Sequence, residues 1–156
     1  MLCVRGGYKK EDMKIVINKC YGGFSISVEA AKMMAKLGDK QAELELNEWK
    51  KKQAWLDYFK EKGVWPKDCP QNEIGYLEIP AKYNSPATFH GYGYVDGFDN
   101  GYSRTSETLV KAVEKLGKKA SGQHASLEVI EIPDGIDYYI DEYDGIESVH
   151  ENHRSW

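Results

Sequence analysis

In the stretch LEVIEIPDGIDYYIDE, residues 127–142, two apolar-rich runs flank Pro133-Asp134-Gly135, and in the second Ile136, Tyr138 and Ile140 alternate with Asp137, Tyr139 and Asp141. Alternation with a period of two turns one face to a core and the other to water, which suits a strand and not a helix. Proline presets one turn dihedral and glycine accepts positive φ, so the central triplet reads as a tight turn. The prediction is a β-hairpin of 127–132 against 136–142. Asp137, Tyr139, Asp141 and Tyr143 then share one face. Carboxylates at that density can hold a divalent cation, but a solvated strand face is the simpler reading.

A third strand is predicted near the N-terminus, where Ile15, Val16 and Ile17 form a short β-branched run within KIVINKC. Gly22-Gly23 ends it. Ser25 and Ser27 then offer helix caps, Glu29 suits a first turn, and a helix is predicted over 30–37 with Gly38 as its stop. A second helix is predicted over about 40–62. Ala42, Leu46, Trp49, Leu56 and Phe59 recur at helical spacing and Gly63 closes it, so its tryptophans read as core or as an oligomer contact. A third helix is predicted over 105–120, capped by Thr105 or Ser106.

Between the second and third helices, about 63–104, lie four of the five prolines and many glycines. This region is expected to be an irregular, tyrosine-rich insertion with one short strand at 75–79. A final element, 146–154, is expected to be helical. The order of elements gives an α+β fold: a small mixed or antiparallel sheet, made of the N-terminal strand plus the C-terminal β-hairpin, with about three helices packed on one face. Residues 13–156 form one domain. Residues 1–12 look unlike the rest and are expected to be a translated leader or disordered arm, because Lys9-Lys10-Glu11-Asp12 can be encoded by a purine-rich ribosome-binding sequence just ahead of Met13.

The chain has 156 residues and a formal net charge of −4, with 41% hydrophobic and 29% charged side chains. That balance disfavours a dedicated nucleic-acid binder, whose surface is basic. No run of about 18 apolar residues is present, so no membrane span is expected. Three cysteines, Cys3, Cys20 and Cys69, make an odd count without a CxxC pair and read as reduced thiols.

Candidate binding residues come from three places. In NKCYGGFSIS, residues 18–27, paired glycines before a helix let main-chain N–H groups approach an anion, which nominates Tyr21, Gly22, Gly23, Phe24 and Ser25. The signal is short of any phosphate-loop or dinucleotide fingerprint. Arg104 precedes the third helix directly, beside Thr105, and makes a second anion-friendly spot. Tyr102 belongs to the glycine- and tyrosine-rich loop, where rings can stack on a ligand. In the tail HENHRSW, residues 150–156, His153, Arg154 and Trp156 can clamp a base or a phosphate; His150 and His153 alone lack a third metal ligand. Cys20 ends the first strand near a helix start, but a nucleophilic thiol needs a histidine beside it.

The blocks KIVINKCYGGFSIS and RTSETLVKAVEKLGKKASGQHASLEVIEIPDGIDYYIDEYDGIESVHENHRSW together resemble a family of small phage and prophage proteins without an assigned activity. The shared pattern is a strand with GGF, an arginine before a helix, IPDG, DEYDGIE and a closing HR-x-W. The usual Asp-Pro after the arginine is here Ser106-Glu107, and residues 39–103 have no counterpart. The resemblance implies a bacteriophage origin and a host-cytosol location, and it implies no reaction. The expectation is a homo-oligomeric protein that binds a nucleotide-like or phosphorylated small molecule, sequestering a host immune signal, with no cofactor. Two alternatives stand beside it. One is an enzyme that cleaves a nucleotide or phosphate ester through Cys20, His150 and His153, or through a carboxylate cluster. The other is a module that binds a host protein through the tryptophan-rich helix and the 90–104 loop.

Overall fold

The computed structural model describes residues 12–91 and 103–152. Residues 1–11 of the expected leader, most of the tyrosine-rich loop with Tyr102, and His153, Arg154 and Trp156 lie outside them. The described chain is a mixed α/β arrangement of four helices and two separate two-stranded antiparallel sheets.

Strand β1, Met13–Asn18, pairs antiparallel with β2, Leu127–Ile132, over their whole length, Met13 facing Ile132 and Asn18 facing Leu127. Helix α1, Val28–Lys36, starts at Ser27, whose hydroxyl accepts from Ala30 N at 3.1 Å. Helix α2, Lys40–Lys62, starts at Asp39 and stops at Gly63, which adopts the left-handed conformation with φ 74°. Helix α3 spans Gln71–Lys82 and helix α4 Glu107–Leu116, the latter continuing as a 3₁₀ turn, Gly117–Ala120. Strands β3, Tyr138–Tyr143, and β4, Ile146–Glu151, form the second sheet.

Three expectations are corrected. The hairpin is β3–β4 and not 127–132 against 136–142. Its two-residue turn is Asp144-Gly145, both at positive φ (50° and 91°), and this pattern closes a hairpin with the right twist. Pro133-Asp134-Gly135 instead belongs to a five-residue link, which leaves β2 free to pair with β1. The segment 146–154 is therefore a strand up to Glu151 and not a helix. The segment 75–79 lies inside α3 and not in a strand. Leu77 and Pro80 of that helix are buried, so tertiary packing overrides the weak helix preference of Gly75 and Pro80.

Two cores result. The first joins Val16 of β1 and Leu127 of β2 to α1, the start of α2 and α4, through Ala30, Ala31, Met34, Ala42, Leu46, Leu109 and Val113. Its alanines let the helices approach closely. The second joins Trp55 and Leu56 of α2 to Leu77 of α3, with Cys69 and Ala87. The tryptophan-rich helix thus spends Trp55 on the chain's own interior.

Candidate functional site

Three distant stretches meet at Asn18, the last residue of β1, which is fully buried. Its side-chain Nδ2 donates to the carbonyls of Cys20 and Gly145, both at 2.7 Å, and its Oδ1 accepts from Ser126 N at 2.8 Å. Its main-chain N–H donates to Glu147 Oε1 at 2.8 Å. One asparagine therefore holds the Gly22-Gly23 loop, the start of β2 and the β3–β4 turn in register.

The carboxylate of Glu147 then receives Arg104 at two points, Nη1 at 2.6 Å and Nη2 at 2.9 Å. The side chains are 3% and 5% exposed. The guanidinium lies 3.5 Å from the centroid of the Phe24 ring, a close cation–π contact. The arginine's main-chain carbonyl accepts from Val16 N at 2.8 Å. Two buried charges are tolerable only with this degree of mutual satisfaction.

The sequence-nominated residues thus divide. Phe24 and Arg104 come together beside Glu147, with the Arg104 side chain buried, while Gly22 and Gly23 abut the β3–β4 turn. Gly22 and Gly23 press against Gly145: a Cβ at Gly145 would collide with the amide nitrogens of both. Tyr21 is exposed beside them. The main chain of Ser25 accepts from Gly122 N at 3.0 Å. Thr105 and Ser103 share a hydroxyl contact at 3.0 Å, and the head of α4 already carries its own anion, Glu107. A hydrogen bond from Lys111, reinforced by its charge, holds Glu107 below the usual carboxylate range.

Cys20 Sγ lies 3.2 Å from the main-chain carbonyl of His124. That oxygen is no general base, so this contact does not activate the thiol. Cys69 is buried beside Asp68 and Glu73. Burial first, and then the two carboxylates, push its thiol above the ordinary value. No group of three or more His, Cys, Asp or Glu side chains among the described residues is placed to hold a metal ion.

The sequence did not nominate a cleft that the described residues form. Ile26, Ser27 and Val28, where the Gly22-Gly23 loop runs into α1, line one side of a cleft of about 460 Å³. The segment 85–89 forms the opposite wall, Ser121, Gly122 and Gln123 a third, and Trp49 of α2 reaches in. The 85–89 segment is strapped to α2 by three side chains. Trp49 Nε1 donates to Ala87 O at 2.9 Å, Gln53 Oε1 accepts from Ala87 N at 2.8 Å, and Lys60 Nζ donates to Ser85 O at 2.8 Å. Its far end is fixed where Ile26 N donates to Gly91 O at 2.8 Å. A wall held at four points is pre-formed, which lowers the cost of ordering it on binding.

The lining combines the rings of Trp49 and Phe89 with Ser27, Ser85, Thr88, Ser121 and Gln123, and among the described residues it holds no ionisable side chain. The first turn of α1 opens at this wall, and its partial positive charge is offset by Glu29 in the same turn. The Lys32 ammonium stands 5.9 Å from the Trp49 ring centroid. A second groove of about 260 Å³ shares Trp49, Thr88 and Phe89 and is flanked by Glu45, Glu48 and Lys52. The positions of Trp49 and Ser27 at helical and capping sites were readable; that residues 85–89 come back over Trp49 was not.

Comparison with protein-family models, with curated proteins and with solved structures finds no match for this chain.

Proposed function

We propose that this chain is a small-molecule-binding protein of bacteriophage origin whose ligand is nucleotide-derived and sits in the cleft between 26–28, Trp49, 85–89 and 121–123. The strapped cleft carries the reading: aromatic walls and a rim of neutral hydrogen-bonding groups at about 460 Å³ match the size and chemistry of small-molecule sites. Trp49 and Phe89 offer faces for a base. Ser121 and Gln123 offer hydrogen-bonding groups to a phosphate or sugar. The resemblance to phage proteins supports the use: capture of a nucleotide-derived host signal in the bacterial cytosol, without turnover.

Two-dimensional NMR titration with AMP, ADP, cyclic nucleotides and ADP-ribose tests the location. The main-chain signals of Ser27, Thr88 and Gln123 and the Trp49 indole signal are expected to shift together with one of these compounds. Shifts confined to residues outside the cleft would contradict the assignment.

A further inference from the structure

The helix that the sequence concealed, α3, turns its largest side chains outward. Tyr76, Ile79 and Tyr83 are 79%, 66% and 69% exposed. Spacings of three and four put them in one stripe along the helix and its C-cap Tyr83, distinct from Leu77 in the second core and the buried Pro80. Along one flank of the stripe, one turn apart, stand Glu78 and Lys82, both exposed. Gly75 lies on the same side with open space around it.

This stripe complements itself. A second α3 laid antiparallel about a two-fold axis near Ile79 sets Ile79 on Ile79. It brings Tyr83 of each copy over Gly75 of the other, where no side chain obstructs the ring. The reversed direction also sets Glu78 of each copy toward Lys82 of the other, twice by symmetry. Same-patch contact of this kind is what an isologous dimer requires. We propose that α3 is the dimer interface of this chain, packed antiparallel on α3 of a second copy. The proposal is independent of the ligand reading. A helix of 12 residues is about 18 Å long, and its stripe falls short of a standard interface of about 1,600 Å². The dimer is therefore weak and concentration-dependent.

Sedimentation velocity from micromolar to near-millimolar protein tests this. The unmodified chain is expected to pass from monomer to dimer, and Ile79→Asp to stay monomeric throughout. Glu78→Lys and Lys82→Glu should each weaken dimerisation about tenfold, since each turns two attractive pairs repulsive. The double variant should return to within about twofold of the original, because the pairs are restored in exchange. Should Ile79→Asp lose its helical circular-dichroism signal, Tyr76→Lys takes its place. A chain that is monomeric at every concentration overturns the proposal. So does a dimer that survives the stripe variant, or a double charge swap as weak as the two singles combined.

Discussion

Arg104 and Glu147, 43 residues apart, form a two-point ion pair at 2.6 and 2.9 Å that is closed to solvent and covered on one side by Phe24. Through Asn18 the same carboxylate also fixes the end of β1. This one cluster joins α4, β1 and the β3–β4 hairpin. It contains Phe24 of the GGF stretch, Arg104 ahead of α4 and Glu147 of the DGIE stretch, which meet in space although far apart in the chain.

Glu147→Ala leaves the Arg104 charge buried without its acceptor, and a cost of about 3–5 kcal/mol is expected. Urea unfolding measures it. Replacing both partners, as Arg104→Met with Glu147→Leu, should cost clearly less than the sum of the single changes. A loss below about 1 kcal/mol for Glu147→Ala, well under the expected buried-pair range, would show that the pair is solvated.

Gly145→Ala should harm stability more than Gly63→Ala. Both glycines hold positive φ, 91° and 74°, where a side chain costs about 1–2 kcal/mol. At Gly63 a Cβ meets open space, whereas at Gly145 it meets the Gly22 and Gly23 amides. Thermal unfolding of the two variants checks the order. Equal losses would mean that the double glycine does not abut the hairpin turn.

These two sites show where sequence reading succeeds and stops. The bounds of α2 were legible because local chemistry sets them: Asp39 caps one end and Gly63 accepts a left-handed φ at the other. That the hairpin closes at Asp144-Gly145 rather than at Pro133-Asp134-Gly135 was not legible, since β2 is claimed by β1. Gly75 and Pro80 hid α3, which packing against Trp55 and Leu56 sustains. Arg104 read as a surface anion site because nothing local announces a partner at position 147.

Cys69 makes a pH prediction. Its thiol pKa is raised in the folded protein, by burial first and then by Asp68 and Glu73. The folded state holds that proton more tightly than the unfolded chain. The resulting stability is complete below the unfolded thiol's pKa, about 8.5, and is lost as pH rises through the higher folded value. In a Cys3→Ser, Cys20→Ser protein, the alkylation rate of Cys69 should rise with a midpoint above that of a free cysteine. A midpoint at or below the free value would contradict the burial.

Trp49→Phe keeps a ring in the cleft and removes the N–H that holds Ala87 O. A stability loss of about 1 kcal/mol is expected. Ligand affinity, by titration calorimetry, should fall several-fold as the 85–89 wall loosens. Affinity unchanged by this substitution would mean that the strap does not shape the site.

The most direct test of ligand capture is a thermal-shift screen of the purified chain against mono-, di- and cyclic nucleotides and ADP-ribose derivatives, with each stabilising compound recovered and checked for integrity. A binding protein is expected to show at least one compound that raises the unfolding temperature by mass action and returns intact. A compound returned cleaved would make the chain an enzyme. No shift from any of them would contradict the nucleotide reading and point to a host protein as the partner.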